Sequence, residues 1–236
     1  MTGREDGVRD HLALALDVSD LGEALELWSD LADHFAIAKV GLQLFTSAGP
    51  RAVEALRAAG ASVFLDLKLH DIPNTVRRAA ENVAGLGASL LTVHAAGGEG
   101  MVAAAVEGFA AGAPSPDGDG GGILAVTVLT SEPVAPPAVL SSRAALAARC
   151  GCAGLVCATP DLAIVGAAAP GLVRVVPAVR LPGSSGDDQS RVATPAEATL
   201  AGADVMVVGR TVTAARERLA AADRVTSEVA SALAGG

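Results

Sequence analysis

Two carboxylates and one ammonium lie within six positions of the segment DLKLHDIPNT, residues 66–75, which directly follows the apolar run Ala61–Leu65. Side chains two positions apart share one face of a strand, so Asp66 and Lys68 are predicted to project side by side. Asp71 lies just past the predicted strand end, where a turn could bring it back toward the same ammonium. Two anions around one cation suit a lysine that stays protonated until a carbon atom needs its proton. A surface salt bridge at a strand end is the alternative, and it is the commoner meaning of such a pattern in isolation.

The elements that must position these residues are eight apolar, strand-like runs separated by amphipathic segments. The predicted strands are Leu12–Val18, Ala36–Gly41, Ser62–Lys68, Leu90–His94, Ile123–Leu129, Gly154–Ala158, Leu172–Ala178 and Asp204–Gly209. The predicted helices include Leu21–His34, Pro50–Ala59, Thr75–Gly85, Gly100–Ala111, Val139–Arg149 and Pro195–Ala201. Near-continuous apolar strands that alternate with helices indicate a parallel sheet covered by helices. Eight such units favour an α/β protein with a single (β/α)8 TIM barrel, residues 1–236, over an open, doubly wound sheet.

The composition excludes several classes of function. The chain is 51% hydrophobic and 2% aromatic, which predicts an aliphatic core. A net charge of −9 disfavours a nucleic-acid or anionic-membrane surface. No apolar run approaches the roughly 18 residues of a membrane span, and the polar start Met1–Asp10 is unlike a signal peptide, so we expect a cytoplasmic protein. Cys150, Cys152 and Cys157 are expected to be small, buried, reduced thiols, because no histidine or acidic residue within their cluster completes a metal site.

Polar residues stand at the predicted carboxyl ends of the strands, which is where barrel enzymes place their active sites. They are Asp17, Lys39, Asp66, Lys68, His94, Thr127, Thr130, Arg180, Gly209 and Arg210. Charged side chains there are costly to bury unless they pair with an opposite charge or bind a ligand. Their convergence at one end of the barrel therefore favours a ligand site over scattered ion pairs. The guanidinium of Arg210 and the open backbone at Gly209 suit a phosphate group.

Alternatives remain open for several of these residues. His94 is either a general acid or, more commonly for such a residue, a hydrogen-bonded structural histidine. Asp17 and Lys39 form either an ion pair of the barrel core or a site for ribose hydroxyls, and their shared location favours the latter. The segment LPGSSGDDQSR, Leu181–Arg191, is either a loop that closes over phosphate, with Gln189 as a donor, or a plain mobile loop.

The segment FLDLKLHDIPNTV, residues 64–76, closely resembles the signature of the orotidine 5′-phosphate decarboxylase family. Further motifs resemble that family in the same order over essentially the whole chain. They are LALDV at Asp17, AKVG at Lys39, TVHAAGG at His94, VTVLTS at Thr130, VPAVR at Arg180, GDDQSRVATP at Gln189 and VVGR at Arg210. Several motifs in one order make a chance match implausible.

The resemblance implies that the protein decarboxylates orotidine 5′-phosphate to UMP, the last step of pyrimidine nucleotide synthesis, with no metal or organic cofactor. Lys68 would protonate C6 of the pyrimidine as carbon dioxide leaves, while Asp66 would lie against the substrate carboxylate and keep Lys68 charged. Asp71, Ile72 and Thr75 would reach into the site of a neighbouring subunit, which implies a homodimer.

The other residues carried over from the resemblance bind substrate. Asp17 and Lys39 would bind the ribose, and Thr130 would contact the pyrimidine. The residues implied around the phosphate come from the last two strands and the loop between them: Pro177, Arg180, Gln189, Gly209 and Arg210.

Two departures and two alternatives accompany the resemblance. Val176 and Ala178, in VPAVR, stand where the family usually has threonine and glycine, a change that could alter the movement of the phosphate loop. A magnesium-dependent sugar-phosphate decarboxylase or lyase of the same barrel superfamily, which reuses the Asp-x-Lys-x-x-Asp pattern, is the first alternative. A catalytically silent binder of phosphate ligands is the second. The IPNT sequence after Asp71 and the GDDQ sequence disfavour the first, and the intact Asp–Lys–Asp group disfavours the second.

Overall fold

Eight parallel strands close into a barrel in the computed structural model, which describes residues 6–113, 121–132, 134–182 and 191–235. The strands are β1 Leu12–Ala15, β2 Ile37–Gly41, β3 Ser62–Leu69, β4 Leu90–His94, β5 Gly122–Val126, β6 Gly154–Val156, β7 Val173–Val179 and β8 Val205–Val208. Each strand pairs with the next along the chain, and β1 pairs with β8, with Leu12 opposite Met206. The predicted (β/α)8 barrel is therefore confirmed, and the open doubly wound sheet is wrong.

Helices surround the barrel and connect its strands. They are α1 Asp6–Arg9, α2 Leu21–Leu31, α3 Leu42–Ala48, α4 Pro50–Ala58, α5 Pro73–Gly85, α6 Gly98–Gly112, α7 Pro137–Arg149, α8 Leu162–Ala168, α9 Pro195–Leu200, α10 Arg210–Thr213 and α11 Arg218–Gly235. The six predicted helices are found, with ends displaced by at most three residues. Short 3₁₀ turns at Ala95–Gly97 and Thr159–Asp161 follow β4 and β6.

The sequence marks where several helices begin. Proline occupies the first turn of α4, α5, α7 and α9, where its missing N–H group has no helical partner to lose. The Asp20 carboxylate caps α2 by accepting a hydrogen bond from the Glu23 N–H at 2.9 Å. At α9, Thr194 and Glu197 form a reciprocal capping box. These signals set the residue at which each helix begins, and therefore the length of the loop between that helix and the element before it.

The inside of the barrel is a packed apolar core. Its buried members come from six strands: Ala13, Ala15, Phe64, Leu124, Val126, Val156, Val175 and Val207. A second, larger apolar cluster fills the space between the strands and the helices. Both clusters are dominated by Ala, Val and Leu, as the composition predicted. The inner cluster supports the floor of the site described below, because Phe64 and Val156 belong to both.

The three cysteines are free thiols. Burial raises the pKa of Cys152 and of Cys157 to about 12, so both are neutral at physiological pH. Cys150 is partly exposed, and burial followed by the nearby Glu99 raises the pKa of its thiol. Within the described residues, no helix combines the length and the apolar character that crossing a membrane requires.

Candidate active site

A pocket of about 340 Å³ opens at the carboxyl ends of the strands. Its lining contains nine of the predicted site residues: Asp17, Lys39, Asp66, Lys68, Thr130, Pro177, Arg180, Gly209 and Arg210. Phe64, Val156 and Val207 contribute apolar surface from inside the barrel. The structure thus brings together residues from β1, β2, β3, β7 and β8 that are far apart in the sequence.

Four charged side chains form a continuous row of alternating sign in this pocket. The Lys39 ammonium donates a hydrogen bond to Asp17 Oδ1 at 2.9 Å and lies 3.9 Å from Asp66 Oδ2. The Lys68 ammonium donates to the same Asp66 oxygen at 2.6 Å. Lys39 and Asp66 are the buried centre of the row, with side chains 9% and 14% exposed, and Asp17 and Lys68 are its more open ends. A lysine is therefore held beside a carboxylate in a pocket that shields both from water.

The protonation state of Asp66 follows from its neighbours. Burial alone would raise the pKa of Asp66, but the charges of Lys68 and Lys39, with hydrogen bonds from Lys68 and Thr92, outweigh burial and lower it. Asp66 is thus an anion at neutral pH, and it accepts a hydrogen bond from the Lys68 ammonium. This is the pairing that the strand spacing predicted, although here it occurs at the centre of a pocket rather than at the surface.

Thr92 was not predicted as a site residue. It is completely buried in β4, and its hydroxyl donates a hydrogen bond to Asp66 Oδ1 at 2.8 Å. The same hydroxyl accepts a hydrogen bond from the backbone N–H of Lys68 at 2.8 Å. The available sequence signal was a polar residue between apolar neighbours in the run LLTV, residues 90–93.

One end of the pocket lies between β7 and β8. Arg180 follows β7, and Arg210 begins α10 directly after Gly209. Gly209 and Ala15 both line the pocket, and a Cβ at Gly209 would lie 3.5 Å from the Cβ of Ala15. A side chain at residue 209 would therefore occupy pocket space. Two guanidinium groups beside an open backbone suit an anionic ligand. Gln189 lies outside the described residues, so its predicted place at the phosphate stays a prediction.

A buried ion pair borders the loop between β7 and α9. Arg191 donates to Asp161 Oδ2 at 2.6 Å and to the carbonyl oxygen of Leu129 at 3.0 Å. Both charged side chains are less than a tenth exposed. This pair connects the end of that loop to the segment that carries Thr130. Its members were not predicted, because nothing in the sequence relates residues 30 positions apart.

The residues that follow β3 lie outside the pocket. Asp71, Ile72 and Thr75 are exposed and do not line the cavity. The Asp71 carboxylate accepts a hydrogen bond from the backbone N–H of Ile72 at 2.6 Å, a contact within its own turn. Among the ion pairs of the described residues, Asp71 has none with Lys68, so a single subunit does not place the second carboxylate of the motif beside the ammonium.

His94 packs beside His70, with ring centroids 5.6 Å apart and planes tilted by 40°. Burial, followed by the positive charges of His70, Lys68 and Arg143, lowers the pKa of His94 and favours its neutral ring. This environment fits the predicted structural histidine better than a general acid. Among the described residues, no group of three His, Cys, Asp or Glu side chains is arranged to hold a metal ion.

The fold and the pocket define a (β/α)8-barrel enzyme with a lysine–carboxylate centre and arginines placed for an anionic ligand. The sequence model of the orotidine 5′-phosphate decarboxylase / HUMPS family matches residues 10–225, and the chain belongs to that family.

Named relatives and solved structures agree with this membership. An orotidine 5′-phosphate decarboxylase from Anaeromyxobacter sp. (strain K) is 46% identical over 229 residues, covering 92% of this chain and 97% of the relative. The enzyme of that name from Thermobifida fusca is 44% identical over 230 residues, covering 92% and 95%. The crystal structure of orotidine 5′-phosphate decarboxylase from Lactobacillus acidophilus matches with a TM-score of 0.78 and 32% identity, covering 92% of this chain and 98% of that one.

Proposed function

We propose that this protein, as one barrel domain spanning residues 1–236, converts orotidine 5′-phosphate to UMP and carbon dioxide. The observation that carries the proposal is the row of alternating charges, Asp17–Lys39–Asp66–Lys68, with a buried centre, at the mouth of the barrel. The names of relatives that are up to 46% identical over most of the chain support the same reaction.

The chemical step uses the Asp66–Lys68 pair. As the bond between C6 and the carboxylate breaks, its electron pair stays on C6 and takes a proton from Nζ of Lys68. Carbon dioxide leaves, and Lys68 becomes neutral until solvent returns the proton. The developing negative charge at C6 is stabilised by an ammonium that is already in place, so little reorganisation is needed during the reaction. Asp66 holds that ammonium and lies where the substrate carboxylate would arrive.

The rest of the pocket binds the nucleotide away from the reacting carbon. We assign the ribose to Asp17 and Lys39, the pyrimidine to Thr130, and the phosphate to Arg180 and Arg210 with Pro177, Gly209 and Gln189. Binding energy from a distant phosphate can stabilise the closed, reactive arrangement at C6. The proposal requires no metal or organic cofactor.

A homodimer with shared sites completes the proposal. Five consecutive residues, 71–75, are exposed, and Ile72 is 66% exposed although it is a large aliphatic residue. Within the described residues, Asp71 forms no ion pair with Lys39 or Lys68. Both observations are explained if Asp71, Ile72 and Thr75 enter the neighbouring subunit's pocket. The free cysteines and the net charge of −9 are compatible with a cytoplasmic protein that binds neither nucleic acid nor membrane.

The first experiment follows the ultraviolet absorbance of orotidine 5′-phosphate with purified protein in EDTA. Conversion to UMP under chelation is the expected result. Absence of conversion by folded protein would refute the proposal. Turnover of a sugar phosphate that depends on added magnesium would instead identify the alternative activity of the superfamily.

Variants of Lys68 test its role as proton donor. Lys68→Ala should lower kcat by about 10³-fold or more and still bind UMP, because ammonium and proton are both lost. Lys68→Arg keeps the charge but should be similarly inactive, because a guanidinium does not release its proton. Arg149→Ala, which removes a cation paired with Glu99 at the surface, is the control and should keep full turnover. An active Lys68→Arg variant would remove Lys68 from the chemical step.

Mixing two inactive variants tests the shared site. In a dimer of one Lys68→Ala and one Asp71→Ala subunit, one pocket keeps both wild-type groups only if Asp71 acts across the interface. Random pairing makes about half of the dimers mixed, and each mixed dimer has one intact pocket out of two. About a quarter of wild-type activity should therefore return. Mixtures that stay inactive, although mass spectrometry shows mixed dimers, would place Asp71 in its own subunit's site or in none.

A further inference from the structure

The hydroxyl of Thr92 is a hydrogen-bonded link between the two groups of the reactive pair. It donates to Oδ1 of Asp66 and accepts from the backbone N–H of Lys68, each at 2.8 Å. Lys68 Nζ and Lys39 Nζ both lie on the side of the other oxygen, Oδ2, at 2.6 and 3.9 Å. The two oxygens of Asp66 therefore have separate partners, so the carboxylate is fixed from both sides.

The backbone at Lys68 explains why such a link is needed. The pairing between β3 and β4 runs from Leu65–Leu91 to Leu69–Val93, so four steps along β3 correspond to two along β4. Lys68 lies in this bulge at a φ of 51°, a left-handed conformation that is unfavourable for a residue with a side chain. Its N–H group donates a hydrogen bond to the hydroxyl of Thr92, a side chain of the neighbouring strand.

We propose that Thr92 is a positioning residue of the reaction, whose hydroxyl holds the left-handed backbone of Lys68 and the orientation of Asp66 in register with each other. The proposal rests on the function proposed above, since it assigns Thr92 to the same proton transfer. Thr92 does not line the pocket, and it acts through Lys68 and Asp66. Without the hydroxyl, the bulged segment has no fixed contact with β4 at this point, and the ammonium shifts relative to C6.

The test compares Thr92→Val, which keeps the shape of threonine without its hydroxyl, with Thr92→Ser, which keeps the hydroxyl. Displacement of a catalytic group by about 1 Å can cost about 10²-fold, so kcat of Thr92→Val should fall by about 10- to 100-fold. KM should change by less than about threefold, because the phosphate and ribose contacts are untouched. Thr92→Ser should retain kcat within about threefold of wild type.

The pH profile separates positioning from a general loss of structure. The Thr92 hydroxyl contributes to the lowered pKa of Asp66. Its removal should move the acidic limb of the kcat profile to higher pH in Thr92→Val and not in Thr92→Ser. Thr199→Val is the matched control, since its hydroxyl contacts the Pro195 carbonyl in α9 and Sδ of Met206 in β8, and neither residue lines the pocket. That variant should show wild-type kcat and pH dependence.

Equal kcat values for wild type and Thr92→Val, or equal losses in Thr92→Val and Thr92→Ser, would overturn the proposal. Failure of the proposed function is distinguishable, because then the wild-type protein itself does not convert orotidine 5′-phosphate. In that case the effect of the Thr92 hydroxyl on Lys68 is tested directly, through the NMR signals of labelled amines. The chain has two lysines, so few signals need to be assigned. Reductive methylation with ¹³C-formaldehyde labels both and the amino terminus, and Lys68→Arg assigns the Lys68 signal. Thr92→Val should shift that signal, and an unchanged signal would refute the link.

Discussion

Ala178 is predicted to be a strained residue whose replacement by glycine costs little stability. It has a φ of 66°, in the left-handed region that favours glycine. The cause is a shift in the pairing of β7 with β8 between Val176 and Val179. Ala178 is buried, with 8% exposure, and lines the pocket next to Pro177. The methyl group thus adds buried surface but occupies an unfavourable backbone conformation.

The magnitude follows from three contributions. Releasing a left-handed alanine stabilises the native state by about 1–2 kcal/mol. Loss of one buried methyl group costs about 0.8 kcal/mol, and the greater freedom of glycine in the unfolded chain costs about 0.4–1 kcal/mol. These terms nearly cancel, so Ala178→Gly should change the free energy of unfolding by less than about 1 kcal/mol. Ala125→Gly, at a fully buried position of β5 without a positive φ, should lose about 1–2 kcal/mol.

The assay is equilibrium unfolding in urea for wild type and both variants, analysed through the midpoint at a common slope. The two variants lose the same methyl group and gain the same glycine, so the difference between them isolates the strain, about 1–2 kcal/mol in favour of Ala178→Gly. An Ala178→Gly variant that loses as much stability as Ala125→Gly would show that Ala178 is not strained and would refute the reasoning.

Three further predictions concern charges of the site. The lowered pKa of Asp66 means that its contribution to stability is present above its ordinary pKa and is lost as pH falls through the lower folded value. The unfolding free energy of wild type relative to Asp66→Asn should therefore decrease below about pH 4, and a constant difference would contradict the pairing. Arg210→Ala should lower kcat/KM for the nucleotide by about 100-fold but change it less than about threefold for orotidine, which lacks the phosphate. Equal losses for both substrates would move Arg210 away from the phosphate. Arg191→Met should cost about 3–5 kcal/mol of stability because Asp161 stays buried without its partner, whereas adding Asp161→Leu should restore most of it. A double variant no more stable than Arg191→Met would show that the buried charge is not the cause.

The barrel was predictable because its strands are buried on both sides and therefore read as apolar runs. Their ends were less certain, since an apolar run continues past the last ladder hydrogen bond. The run predicted to end at Val18 belongs to a strand that ends at Ala15, so Asp17 lies on the loop beyond it. The predicted clustering of polar residues still holds, because parallel strands of a closed barrel present all their carboxyl ends on one side.

The geometry around Lys68 could not be predicted from the sequence. Alternation along a regular strand predicts that Asp66 and Lys68 share a face, and they do meet. They meet, however, across a bulge with a left-handed lysine, which depends on the register between β3 and β4. Register between strands is a property of contacts distant in sequence, so the bulge leaves no local pattern. The threonine in the apolar run LLTV marks Thr92 as unusual but does not reveal its contacts with Asp66 and Lys68.

Lysine use along the chain gives an independent argument for the site. The sequence contains fifteen arginines but two lysines, and both lysines lie in the pocket, in contact with Asp66 or its neighbours. The positively charged partner of another buried ion pair, Arg191 with Asp161, is an arginine. A guanidinium cannot give up its proton near neutral pH, whereas an ammonium can, and an ammonium is also a compact charge that fits between two carboxylates. Amine-specific labelling of the native protein should consequently modify these two side chains slowly, with UMP protecting both. Labelling of Lys68 that UMP does not reduce would separate this lysine from the nucleotide site.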